Sequence, residues 1–301
     1  MHPHGDHPDS VSDASHSSFV DPAFGYYLGL PAWGFPGWTG QYFPPATPQT
    51  PTLKHYASVF NTVEGNTTFY QIPDPQSVAR WHDAVRATGF RFSFKLPRSI
   101  THERTPDWDQ LSEFMRVLEP LGEHLGAFLV QCPATLGPAE LPLLERLFEQ
   151  LPSGHRYVLE LRHPVFFSQP ECVEPLLQRF NAGRVMFDSR PIYQGNSQHA
   201  EVLAARHKKP DVPLLDTVYN ALVYARVVLH PEASSNTAFV EEWLQRMTDY
   251  LARGYQVYFM MHCPNNQHCP AFAESFHRQL RQRLPLPALP PWPMPQQDSL
   301  F

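Results

Sequence analysis

Cysteine is scarce: the 301 residues hold four, Cys132, Cys172, Cys263 and Cys269. So few across so long a chain make no disulfide framework, and reduced, buried thiols are expected. No run approaches the ~20 apolar residues of a membrane span. The polar first residues lack the apolar segment of a secretory signal. The expectation is a soluble, cytoplasmic protein with no membrane partner. Charged residues are only 17% of the chain and the net charge is −6. A sequence-independent nucleic-acid binder normally carries a basic excess, so nucleic acid is disfavoured as a partner, although a local basic groove is compatible with this balance. No G-x-G-x-x-G follows the first apolar run, which argues against an open dinucleotide-binding sheet. Between the tails there is no H-x-H or H-E-x-x-H.

Apolar residues make up 42%, enough for a sizeable core, and proline is abundant at 33 residues. The opening MHPHGDHPDSVSDASHSSFV is rich in His, Ser and Asp and reads as a disordered tail over residues 1–22. His2, His4 and His7 could hold a stray metal ion there, but they define no dedicated site. The closing LPLPALPPWPMPQQDSLF has too much proline for helix or sheet. It reads as an extended tail over 285–301, lying on the domain or free. One domain is expected between them, over 23–284.

Within that domain, short β-branched or aromatic runs alternate with longer amphipathic ones. The strand candidates are 25–33, 58–66, 90–97, 126–133, 156–164, 183–189, 221–230 and 255–263. Helical patterns lie between most of them. The stretch 74–88 has Asp74 as cap, Pro75 in the first turn and Val78, Trp81 and Val85 on one face. The stretch 107–122 puts Leu111, Phe114, Met115 and Leu118 on one face. The proline-rich link 190–220 has no clear pattern. Eight strands alternating with helices imply an α/β fold, a single (β/α)8 TIM-type barrel.

Side chains alternate sides along a strand, and in a barrel one set points inward. Glu64 and Asn66 share a face with Thr62. Lys95 shares one with Ser93, Glu160 and Arg162 with Val158, Arg226 with Tyr224, and His262 with Tyr258. Gln131 and Asp188 close their strands. The expected ring is Glu64, Asn66, Lys95, Gln131, Glu160, Arg162, Asp188, Arg226 and His262, at the strand ends where barrels of this type place their sites. The same groups could instead form a self-satisfied ion network, because buried charges must be paired whether or not they do chemistry.

At this point the residues show a resemblance. WGFPGWTGQYFP (33–44), VEGNTTFY (63–70), FKLPRSITH (94–102), the double LG pattern of 121–133 and ELRHPVFF (160–167) occur in this order. Together they resemble the domain-of-unknown-function 72 family, the YecE-like proteins, over roughly residues 25–280. The resemblance implies a TIM-type barrel with polar motifs at one mouth, and it supplies no reaction. Gly65 stands where the family pattern has an apolar residue. The strand 7 and 8 endings, YARVVLHPEA and FMMHCPNN, also depart from it. Gly65 itself reads as a close backbone approach to a ligand or as a loosely packed strand.

Three chemistries compete. In the first, the mouth binds a small anionic ligand, phosphorylated or polyhydroxyl, through Lys95, Arg98, Arg162 and Arg226. Glu64 or Glu160 then acts as general acid or base of a hydrolase or isomerase, with His102 and His163 as further proton carriers. In the second, Glu64, Glu160, Asp188 and His262 hold Mg²⁺, Mn²⁺ or Zn²⁺; no other cofactor is indicated. In the third, the protein is a non-catalytic binding module whose Trp33, Trp38, Tyr42, Phe43, Phe69 and Tyr70 stack on a sugar or base. Catalytic candidates are therefore Glu64, Glu160, Lys95 and His102. Ligand-binding candidates are Asn66, Gln131, Arg162, His163, Asp188, Arg226 and His262.

Overall fold

A computed structural model of the chain describes residues 25–45, 52–195 and 197–293. The His-rich opening segment and its candidate metal-binding histidines lie outside the described residues. Eight strands form one parallel sheet: β1 (Tyr26–Leu30), β2 (Thr62–Gly65), β3 (Arg91–Phe94), β4 (Ala127–Gln131), β5 (Arg156–Glu160), β6 (Gly183–Asp188), β7 (Leu222–Val228) and β8 (Gln256–His262). Their order is β3-β2-β1-β8-β7-β6-β5-β4. The two outer strands meet through bridges at Phe92–Leu125 and Lys95–Leu129. Backbone bonds Gly126 N–H to Phe92 O (2.7 Å) and Leu96 N–H to Leu129 O (3.0 Å) complete this seam. The sheet is thus a nearly closed barrel. All eight expected strands form, each a little shorter than its apolar run because the ladder ends where the polar turn begins.

The helices arise where the capping signals stand. Asp74 accepts from Ser77 N–H at 2.9 Å and starts the Pro75–Val85 helix. Asp107 does the same for Gln110 N–H at 2.9 Å ahead of Trp108–Leu118. A carboxylate at that position satisfies a free donor and suits the positive helix end. The 190–220 link carries two short helices, Arg190–Tyr193 and Ala200–Arg206. Among the described residues no helix is long and apolar enough to cross a membrane.

Two apolar layers result from strand alternation. The outer one lies between strands and helices and includes Leu28, Val63, Phe92, Phe94, Val130 and Phe259. The inner one fills the barrel with Tyr27, Leu129, Val158, Val185, Tyr224, Tyr258 and Met260. Tyr27 stacks on Tyr258 at 4.6 Å, and Tyr224 lies 5.8 Å from Tyr258. These three rings, all buried, close the interior below the mouth. The C-terminal segment belongs to this packing as far as it is described. Trp292 lies against Tyr42, Phe43 and Phe60 and donates to Glu274, and His277 Nε2 bonds Pro287 O at 2.9 Å.

Gly65 has a packing reason. A Cβ there would stand 2.5 Å from Cδ1 of Phe94, whose ring stacks on Trp81 at 5.7 Å. The space a side chain would take is filled by an aromatic ring of the outer layer, so the strand is not loosely packed there. Gly65→Ala is expected to destabilise the fold by about 1–3 kcal/mol through overpacking. Urea unfolding measures this, and an unchanged midpoint would show that Phe94 does not need the space.

Candidate functional site

Glu64 (β2), Glu160 (β5) and Arg226 (β7) come from three separated strands and meet inside the C-terminal end of the barrel. All three are buried. Arg226 grips Glu64 in bidentate fashion, Nε to Oε2 at 2.7 Å and Nη2 to Oε1 at 2.8 Å. Its Nη1 donates to Glu160 Oε2. The other oxygen of Glu160 accepts from Arg162 Nε at 2.7 Å, and Arg162 Nη2 reaches Gln131 Oε1 at 2.9 Å. Asn66 Nδ2 donates to Glu64 Oε1 at 2.9 Å and to Pro31 O at 3.2 Å. The chain Asn66–Glu64–Arg226–Glu160–Arg162–Gln131 is therefore continuous. Phe187 faces both guanidiniums, 5.6 Å from that of Arg226 and 5.8 Å from that of Arg162.

Burial alone would raise both carboxyl groups, but the adjoining guanidiniums outweigh it. Arg226, helped by His262, holds Glu64 well below the usual carboxylate range. Arg226 and Arg162 bring Glu160 down to about 2. Both glutamates are thus ionised at neutral pH, with their oxygens bonded to guanidiniums.

Two lysines enter the same mouth without a carboxylate. Lys95 is 8% exposed and its ammonium lies over the Phe69 ring, 3.6 Å from the centroid. Lys209, from the link after β6, is half-buried and feels the charges of Arg226, Glu64, Arg162 and Glu160. Among the described residues neither ammonium has a salt bridge. Burial, reinforced by Arg226, lowers Lys95 to about 7 and Lys209 to about 8. His262 is 4% exposed, and its Nε2 stands 3.5 Å from Glu64 Oε1 without a well-formed hydrogen bond. Burial brings it down to about 4, against the pull of Glu64, so it is neutral at pH 7. His102 sits edge-on to Phe69 at 4.9 Å and bonds Thr101 Oγ1 at 2.8 Å. Burial and Lys95 lower it to about 4.

Several expected members stand elsewhere. Asp188 points to the helix layer, where Trp243 Nε1 donates to it at 2.8 Å and Arg190 binds it twice at 2.9 Å. Counting alternate residues back along β6 gives the reason: Val185 and Phe187 take the interior and leave Asp188 outside. His163 accepts from Val165 N–H at 3.3 Å and braces the turn after β5. Arg98 is exposed, 3.9 Å from Glu103. The four residues expected to hold a divalent metal do not converge, because Asp188 is outside and Arg226 occupies both glutamates. Among the described residues no three His, Cys, Asp or Glu side chains group as metal ligands. Of the proposed stacking aromatics, Trp38, Tyr42, Phe43 and Phe69 are buried, and only Tyr70 is widely exposed. Cys263 and Cys269 are free, with sulfurs 3.3 Å apart at the start of the last helix.

Phe187 and Lys209 were missed from sequence. Strand parity could have found Phe187. Nothing local marks Lys209, which reaches the mouth through a long irregular link. A cleft of ≈ 540 Å³ opens beside Glu64 and Asn66, walled by Trp33, Phe35 and Phe43. A larger cavity of ≈ 680 Å³ lies at the opposite end, beside Arg156, Leu222 and Gln256. It is remote from the strand-end network, so volume does not decide the site.

Two outcomes follow from the charges. Arg226→Met leaves buried Glu64 without its guanidinium and Glu160 with Arg162 alone, and should cost about 3–5 kcal/mol in denaturant unfolding; a loss under 1 kcal/mol would contradict the pairing. Lys95→Met should act in the opposite direction. Below pH 7 the fold must hold a buried ammonium that the unfolded chain keeps in water. Between about 7 and the ordinary lysine value near ~10.4 the unfolded state binds more protons, so this penalty fades as pH rises. The variant should be more stable at pH 6, by about 1–3 kcal/mol, with a flatter pH dependence from 7 to 10. Unfolding across that range measures it, and an equal or lower stability at pH 6 would refute the assignment.

Known proteins share this fold and sequence. The UPF0759 protein YecE of Escherichia coli K12 is 35% identical over 287 residues, covering 91% of this chain and 99% of that protein. A DUF72 family protein from Thermotoga maritima superposes with a TM-score of 0.59 at 22% identity, covering 85% of this chain and 98% of that one. A DUF72 family protein from Enterococcus faecalis gives the same TM-score and identity, with 88% and 98% covered. The family model described as "Protein of unknown function DUF72" matches residues 27–297. The chain therefore belongs to the DUF72 family.

Proposed function

We propose that the mouth binds a small anionic ligand, phosphorylated or carboxylated, and supports a proton-transfer reaction of the isomerase or hydrolase type. One observation carries this reading: two largely desolvated ammonium groups, Lys95 and Lys209, share a mouth whose two carboxylates are already taken by Arg226 and Arg162. Glu64, Glu160, Arg226 and Arg162 sum to zero charge. Protonated Lys95 and Lys209 then leave the mouth positive. A desolvated cation without a counter-charge favours an anion that displaces the remaining water.

The roles divide by position. Lys209 and the partly exposed edge of Arg162 hold the anionic group, with Gln131 and Asn66 as polar neighbours. Lys95 is the proton-transfer group, since its displaced proton affinity lies near neutrality. His102 and His262 are neutral at pH 7 and supply hydrogen bonds rather than charge. The Glu64–Arg226–Glu160 bridge fixes the positions of these groups and is not itself the acid or base.

Thermal shift with inorganic phosphate, glycerol 3-phosphate, neutral sugars and Mg²⁺ tests the reading. Phosphate and glycerol 3-phosphate should stabilise the protein most below pH 7, and less as pH rises through about 7 and about 8 and the lysines lose their charge. Lys209→Met should weaken their binding by about tenfold or more. Preferential stabilisation by Mg²⁺ or neutral sugars, or anion binding indifferent to Lys209→Met, would overturn it.

A further inference from the structure

We propose that Lys95 is a nucleophile that forms an imine with a carbonyl carbon, so that the anionic ligand is a 2-oxo acid or a phosphorylated ketose or aldose. This rests on the anion-binding reading and names the substrate class of that same mouth. Four features converge on Lys95. It stands at the end of β3, on the interior face shared with Ser93, where the mouth opens. Its ammonium has no carboxylate partner among the described residues. The Phe69 ring covers one side of it at 3.6 Å and shields it from water. Positive groups that suit a ligand's anionic end act on it, Arg226 from β7 and Arg162 after β5, and Lys209 after β6 feels the same two guanidiniums.

The chemistry follows from that setting. An amine attacks a carbonyl only when it is neutral, and an ordinary lysine is almost wholly protonated at pH 7. The groups facing Lys95 are Glu64 on β2, Glu160 on β5, Arg162, Arg226 and His102; burial and the cations outweigh the two glutamates and keep its proton affinity near neutrality. In the reaction the Lys95 nitrogen lone pair forms the C–N bond while the carbonyl π electrons move to oxygen. That oxygen gains a proton and the nitrogen loses one, giving a carbinolamine. The nitrogen lone pair then expels the hydroxyl group, protonated, as water, and a protonated imine remains. Neutral amine, carbonyl and one proton become iminium and one water, and no oxidant or reductant is needed. The iminium acidifies the adjacent carbon, which is the step that an isomerisation requires.

The composition makes this testable at single-residue resolution. The chain has four lysines, Lys54, Lys95, Lys208 and Lys209. Lys54 and Lys208 are exposed and serve as internal controls. The full-length protein is incubated with dihydroxyacetone phosphate or pyruvate and cyanoborohydride, and each lysine is mapped by peptide mass. One reduced adduct is expected, on Lys95. It should form fastest near pH 7, slow in the presence of glycerol 3-phosphate (which has the charge but no carbonyl), and be absent in Lys95→Met. Lys209→Met should slow trapping by about tenfold, because it weakens the anion contact. If glycerol 3-phosphate stabilises the protein but neither carbonyl compound modifies Lys95, imine formation is refuted and anion binding stands. Adducts spread evenly over Lys54 and Lys208 would also refute it. If no anion binds and no adduct forms, both readings fall.

Discussion

A single guanidinium, that of Arg226, lets two carboxylates from widely separated strands be buried together. Glu64 lies 162 residues away in the chain and Glu160 lies 66 away, and each is bonded to Arg226 directly. Burying either glutamate alone would cost several kcal/mol. Bonded to both, Arg226 ties β2, β5 and β7 across the interior, and Arg162 on Glu160 supplies the second positive charge. Everything else at the mouth depends on this. Because the glutamates are bonded to arginine, Lys95 and Lys209 have no salt bridge among the described residues. Because the glutamates are rigid, Asn66, Arg162 and Gln131 have fixed positions to bond to. The hydrogen-bonded chain has the character of the self-satisfied network that the sequence allowed.

Much of this was legible before the structure. The eight strands, the two Asp-capped helices and the barrel came from apolar rhythm and capping residues, which are local signals. Parity put Glu64, Lys95, Glu160, Arg226 and His262 on inward faces, and all five are buried, because a strand's side-chain period is fixed by its backbone. Parity failed for Asp188 only where it was not applied; the same count puts Phe187 inside. Charge state was not legible. Glu64 and Glu160 looked like acids and bases until their partners were seen, since a carboxyl group's proton affinity depends on what lies across the barrel rather than beside it in the chain. Lys209 was hidden for the same reason. Its approach depends on the path of the 190–220 link, which no periodic pattern encodes.

The departures from the family pattern divide in a similar way. Gly65 answers to Phe94 on the helix side of the barrel, so it says nothing about the ligand. His230, by contrast, has been drawn into the turn after β7. Its Nδ1 accepts from Glu232 N–H at 3.0 Å and its Nε2 bonds Ser197 Oγ at 2.9 Å. Neither residue contributes to the charge of the mouth. The histidines that do face it, His102 and His262, are held neutral by burial.

The seam between β3 and β4 has one further consequence. On its β2 side β3 is held by a continuous ladder, but on its β4 side it is held by two bridges, one of which is Lys95–Leu129 itself. Lys95 is therefore mounted on the seam where the barrel closes. Local opening of that seam would admit water to the ammonium, while the arginine–glutamate bridge rests on β2, β5 and β7.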